Sequence, residues 1–258
     1  MENRQKFNNL ACGASYFSRG VNLLFHPKLR VYILVPLFVN IILFFALTFT
    51  LFYYFQIITS GMEFQIPGWL SWAEVVLDFA IALLGVILAV LFIIFYAYSF
   101  NVITNIIAAP FYGLLAEKSE ELITGKKLPA EKILAMVLRT FSRELRKLVY
   151  FFSRGIVVIL VMLMISTIPI VNIAAPAIGL IWGIWSMSIQ YVDYPADNHS
   201  TPFRELRYRL WEKKYSSMGL GAMVMLTSVV PLINIIAMPA AVIAGTLFWT
   251  EELDRKAE

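Results

Sequence analysis

Four long apolar blocks alternate with polar stretches along the chain: Val31 to Ile58, Val75 to Tyr112, Ile156 to Val192 and Met218 to Trp249. The first two run for 28 and 38 residues, against the roughly 20 a helix needs to cross a hydrocarbon core of about 30 Å. They predict two long transmembrane helices, over 31–58 and 75–117, the second able to bend near Pro110. In the third and fourth blocks, Pro169, Pro176, Pro231 and Pro239 mark off halves of about 12 to 16 residues, too short for full crossings.

Both of these blocks contain Pro-x-x-Asn. Proline lacks a backbone donor and clashes with the preceding turn, whereas asparagine tolerates turn conformations. The pattern predicts two half-penetrating helical hairpins, over 156–192 and 218–249, with Asn172 and Asn234 at their tips. Open backbone at that depth requires protein or water around it. Ser166-Thr-Ile-Pro-Ile-Val-Asn-Ile and Ser228-Val-Val-Pro-Leu-Ile-Asn-Ile align at a spacing of 62, and repeated broken helices often line transport paths. A purely structural hairpin, with Pro and Asn relieving the packing, fits the same pattern.

The segments between blocks are amphipathic. Phe7, Leu10, Ala14, Phe17, Val21 and Leu24 recur at helical spacing, predicting a helix on the membrane surface within residues 1–30. Residues 129–154 read as a basic interfacial helix, with Pro129 in its first turn and Arg139, Arg143, Arg146 and Lys147 beside Phe141, Leu145 and Leu148. Thr201-Pro202 opens a shorter interfacial helix, 201–215, with Arg204, Arg207 and Arg209 toward water. Attraction to anionic lipid accounts for most of this charge.

Composition fixes the class. With 258 residues, 60% hydrophobic and 15% charged, and a mean hydropathy of +0.74, the chain exceeds what one soluble core can hide. It reads as a single all-α integral membrane domain over 1–258. Residues 1–30 lack the continuous apolar core of a secretory signal. Of the 21 Lys and Arg, 5 fall in residues 1–30, 9 in 113–155, 5 in 193–217 and 2 in 250–258, with none in the connector 59–74. Positive loops stay inside, so both termini are expected in the cytoplasm, with one external loop. Two full crossings in each hairpin block would keep the same parity.

Little here suggests an enzyme. His26 and His199 are the two histidines and Cys12 the single cysteine, so no thiolate metal site or disulfide is expected. Asp193, Asp197 and His199 cluster in sequence and could hold a cation, or form a polar connector. No nucleotide-binding fingerprint is present. No catalytic residue, metal, cofactor or nucleic-acid partner is expected. The distinctive chemistry is His26-Pro27-Lys28-Leu29-Arg30 before the first span. Pro27 at the first helical position would leave the amides of Lys28, Leu29 and Arg30 free at the positive end of a helix dipole. With two cationic side chains, that array suits an oxyanion such as sulfate or phosphate, or a lipid head group.

Several strings resemble the CysZ family of bacterial sulfate permeases: Val35-Pro-Leu-Phe-Val-Asn40, Ile107-Ala-Ala-Pro-Phe-Tyr-Gly-Leu-Leu-Ala-Glu117, Ile189-Gln-Tyr-Val-Asp-Tyr-Pro-Ala-Asp-Asn-His199, and the paired Pro-x-x-Asn-Ile. The resemblance spans nearly the whole chain. It implies a homo-oligomeric (dimer or larger) inner-membrane permease that imports sulfate for cysteine biosynthesis, with sulfate held by basic residues after the first amphipathic helix. The family pattern there is Pro-Gly-x-Arg-Arg. Here Arg30 stands at the first arginine and Val31 in place of the second, with Lys28 supplying charge two residues earlier. Gly113 and Glu117 lie in the family's other signature, and Glu117 is expected to orient a basic neighbour. The alternative is a membrane scaffold or regulator beside a partner transporter, which conducts nothing itself.

Overall fold

The fold is taken from a computed structural model, which describes residues 8–60, 74–129 and 131–254. Arg4, Lys6, Arg255, Lys256 and most of the connector 59–74 therefore lie outside the described residues. Every regular element among the described residues is helical: α1 Leu10–Leu24, α2 Arg30–Ser60, α3 Glu74–Thr124, α4 Ile133–Ser166, a 3-10 turn Val171–Ile173, α5 Ala174–Asn198, α6 Phe203–Glu212, α7 Lys214–Ser228, α8 Pro231–Phe248 and a π turn Trp249–Leu253.

The chain divides into two compact units, one formed by Met1–Leu37 with Ala109–Glu258 and the other by Phe38–Ala108. In the second unit, α2 and α3 meet where the Thr48 and Tyr96 hydroxyls hydrogen-bond at 2.6 Å and where the rings of Phe55 and Phe92 pack. Their remaining faces expose large apolar side chains, Phe49 at 76% among them. Phenylalanine at that exposure along a 31-residue helix, roughly 45 Å long, is the surface of a helix in lipid.

The first unit is built around α8, whose residues from Pro239 to Phe248 are all buried. Helices α1, α5 and α7 pack against it. Helix α1 has the two faces that its periodicity suggested, and the apolar one packs on protein. Its apolar face, with Gly13, Tyr16, Phe17, Gly20 and Leu24, is buried against α7 and α8. Gly13 and Gly20, seven residues apart, share one side of the helix. A Cβ on Gly13 would lie 1.9 Å from the Ser216 carbonyl oxygen, and one on Gly20 2.5 Å from that of Ala240. The missing side chains let the backbones touch, as in membrane helix pairs.

The separate interfacial helix over 129–154 and the hairpin arm beginning at 156 are one helix, α4, of 34 residues. Gly155 is the sole weak helix former at the expected junction, and one glycine costs too little to end a helix. The helix starts at Ile133 behind Lys132, four residues past Pro129. Its polarity is inverted relative to a water-soluble helix. Arg143, Glu144 and Lys147 are buried, while Leu134, Leu138, Val149 and Phe152 are 61–71% exposed. Arg143 and Lys147, expected on the charged side of an interfacial helix, thus face protein, whereas Arg146 and Arg154 remain exposed and the apolar side is left for lipid.

The two Pro-x-x-Asn copies fold differently. In the first, α4 ends at Ser166 and α5 begins at Ala174, so Pro169 and Asn172 lie in the turn. Ile170 takes a left-handed φ of 73° there, a strained conformation for a β-branched residue, and helix resumes after it. In the second, the break is at Val229 and Val230, and Pro231 occupies the first turn of α8, where a missing donor costs nothing. Asn234 is consequently inside α8, its side chain outside the described residues. The α4 and α5 arms have 34 and 25 residues, and α4, Val171–Asn198 and Arg30–Ile57 are each long and apolar enough to cross a membrane. As helices, both arms of that pair are longer than the 12 to 16 residues that proline spacing marks off within the block, α4 because it continues the basic segment before residue 156. Helices α7 and α8, with 15 and 18 residues, fall short of about 20.

Candidate functional site

Lys28, Leu29 and Arg30 sit where α1 hands over to α2. Residues 27–29 form a turn and α2 begins at Arg30. The Leu29 amide donates to the His26 carbonyl at 3.0 Å, and the Lys28 amide to His26 Nδ1 at 3.3 Å. Two of the three amides expected to be free are therefore held within the turn, because Pro27 closes a turn ahead of the helix instead of starting it. Leu29 is buried and anchors the loop, leaving the Lys28 and Arg30 side chains exposed on either side. What the loop offers an anion is two cations on a fixed backbone, plus the first-turn amides of α2, which have no intrahelical partner.

A second polar centre is buried between α4 and α5, and sequence reading missed it. Arg139, Arg143 and Lys147 recur every four residues along one face of α4. Asp193 and Asp197 have the same spacing on α5. Arg143 Nη2 lies 2.6 Å and Nε 2.9 Å from Asp193 Oδ1, while Arg139 Nη1 lies 2.5 Å from Asp197 Oδ2. Lys147 pairs with Glu144, stands 3.3 Å from Asp193, and sits 4.6 Å over the Tyr194 ring. In the buried seam three cations face Asp193, Asp197 and Glu144, a balance that burial in a low-dielectric interior demands, while the more exposed Glu131 also pairs with Arg139 at 3.0 Å. The Asp193 to His199 string is thus the end of a helix gripped by α4, neither a loose connector nor a cation site. The matching four-residue spacings were the available signal, and reading residues 129–154 as an interfacial helix whose charge meets anionic lipid concealed it.

The remaining candidates are placed around this centre. His199 Nε2 lies 2.8 Å from Glu120 Oε1, and the His199 ring packs on Trp249. Asn198 donates to the Gly113 carbonyl at 2.8 Å, tying the Gly113 to Glu117 string of α3 to the end of α5. Glu117 Oε1 is 3.3 Å from Lys118, and no ion pair among the described residues joins Glu117 to Lys28 or Arg30. Asn172 is exposed in its turn, which packs on its own arms α4 and α5. No group of three or more His, Cys, Asp or Glu positioned to hold a metal occurs among the described residues.

A family model described as "Sulfate transporter CysZ/Etoposide-induced protein 2.4" matches residues 16–239. The sulfate transporter CysZ of Pseudomonas fluorescens (strain Pf0-1) is 39% identical over 244 residues, 93% of each chain. That of Pseudomonas aeruginosa (strain LESB58) is 38% identical over 95% of this chain and 97% of its own. The Vibrio parahaemolyticus protein of the same name is 36% identical over 95% and 96%. With likeness running from α1 through α8, the chain belongs to the sulfate transporter CysZ/etoposide-induced protein 2.4 family.

Proposed function

We propose that this protein moves sulfate across the bacterial inner membrane, as a channel-like permease or facilitator that supplies cysteine biosynthesis. The observation that carries the reading is near end-to-end identity of 36–40% to proteins named sulfate transporters. The long exposed apolar helices support a seat in the membrane. The reading is of transport and not of catalysis.

In this reading sulfate is captured at Lys28, Leu29 and Arg30, the buried leucine fixing the loop and the two cations meeting the anion. Only two mobile side chains carry the charge, which favours the weak binding that conduction requires. Gly113 and Glu117 support the entrance, and Asn172 and Asn234 offer hydrogen bonds along a polar path without trapping the ion by full charge. Both termini lie in the cytoplasm, and the working unit is a homo-oligomer, a dimer or larger, in contact with lipid.

The test is sulfate uptake into liposomes containing this protein alone. Saturable flux above that of protein-free vesicles supports the proposal. Flux no greater than the empty vesicles, from protein that is folded, replaces it with a scaffold or regulator of another transporter.

A further inference from the structure

With the ladder neutralised, Arg207 of α6 is left stacked on two aromatic rings, while Arg146 and Arg154 remain exposed on α4. Arg146 and Arg154 lie one turn to either side of Tyr150 on the same face of α4. Arg207 of α6 places its guanidinium 4.5 Å from the Tyr150 ring centroid and 5.2 Å from that of Phe203. The two rings meet edge to face at 5.3 Å. None of the three arginines has an acidic partner among the described residues, and the buried Nε of Arg207 has no hydrogen-bond partner.

Stacking on Tyr150 and Phe203 holds the Arg207 fork in place before any ligand arrives, so little side-chain freedom is lost on binding. A stacked guanidinium with two more on the helix turns flanking Tyr150, none of them paired with an acid, calls for oxygens that carry negative charge. The next strip of α4 identifies the source. Val149 and Phe152 are 70% and 65% exposed, which is of no use to a free inorganic anion but suits an acyl chain. We propose that Arg146, Arg154 and Arg207 form a headgroup site for an anionic phospholipid, with phosphate oxygens on the guanidiniums and a chain along Val149 and Phe152. The site is separate from Lys28 and Arg30 and does not depend on what the protein transports.

The full-length protein in mild detergent, titrated with phosphatidylglycerol or phosphatidylcholine and weighed intact by native mass spectrometry, tests it. Phosphatidylglycerol should be retained preferentially, and Arg207→Met should weaken it about fivefold, the factor for one basic contact of roughly 1 kcal/mol. Lys126→Met, which removes an exposed charge elsewhere, should leave retention unchanged. If Arg207→Met does not fold, Arg146→Gln with Arg154→Gln, both exposed, should give a loss at least as large. Equal retention of the two lipids, or equal effects of Arg207→Met and Lys126→Met, overturns the proposal. It also falls if inorganic phosphate or sulfate binds at these arginines and excludes the lipid, for the site then belongs to a free anion.

Discussion

Arg143 and Asp193, fifty residues apart in the chain, meet through two guanidinium nitrogens in the buried seam between α4 and α5. Around this pair Arg139 and Lys147 find their carboxylates, and a stripe that reads as the basic side of an interfacial helix becomes the polar interior of the hairpin.

Removing one partner of the pair is expected to be costly. Asp193→Ala leaves Arg143 without its main counter-charge and Lys147 with one carboxylate instead of two, and should destabilise the protein by about 3–5 kcal/mol. Removing both members as Arg143→Met with Asp193→Leu keeps the rest of the ladder balanced and should recover most of that loss. Thermal unfolding in detergent measures both; a double variant no better than Asp193→Ala would refute the charge argument.

The close approach of α1 to α7 predicts a sharp positional contrast between glycines. Gly13→Ala forces a methyl into the Ser216 carbonyl and should cost about 1–3 kcal/mol or more. Gly85 of α3 has nothing within 4 Å of its would-be Cβ, so Gly85→Ala should be neutral or stabilise by about 0.5–1 kcal/mol. Paired melting curves decide it, and similar losses at both sites would contradict the packing.

At the entrance of α2, Arg30→Ala should lower sulfate binding and flux while leaving expression and the melting temperature unchanged, because Arg30 is exposed. Lys28→Ala should do the same to a lesser extent, a lysine being a point charge where arginine offers a fork. Binding measured on purified protein together with liposome flux separates capture from folding. Unchanged sulfate affinity in Arg30→Ala would remove the loop from the path.

Tyr16 links α1 to the C-terminal π turn. Its hydroxyl donates to Glu252 at 3.1 Å and to Glu251 at 3.3 Å, and Glu251 also pairs with Arg19 at 2.5 Å. Burial, followed by the charges of Glu252 and Glu251, raises its pKa above the ordinary 10.0. A folded value above the unfolded one means that this contribution is complete below pH 10 and is lost as pH rises beyond it. The loss should approach 1.4 kcal/mol per pH unit. Stability measured from pH 8 to 11 should fall more steeply for the native protein than for Tyr16→Phe, and parallel curves would exclude Tyr16 as the source.

Much of the architecture was legible from spacing alone. Proline and asparagine interrupt the third apolar block within a few residues of where α4 gives way to α5, and Phe203, Leu206 and Leu210 mark α6. The loop between α1 and α2 was legible as a place but not in its bonding, since whether Pro27 starts a helix or closes a turn depends on where the His26 ring and carbonyl point.

By itself the sequence determined the solvent: apolar runs longer than a bilayer is thick admit few other readings, and near full-length likeness to its relatives carries the family. The tertiary structure decided which way each amphipathic helix turns. Periodicity shows that α1 and α4 have two faces, but whether the apolar face meets lipid or protein, and whether the arginines meet the membrane surface or Asp193 and Asp197, depends on partners as much as 220 residues away, as Ala240 is from Gly20. In a membrane both faces of a helix can find a favourable surround, so hydrophobicity alone does not orient it; only matched charges and the close backbone contacts at Gly13 and Gly20 do.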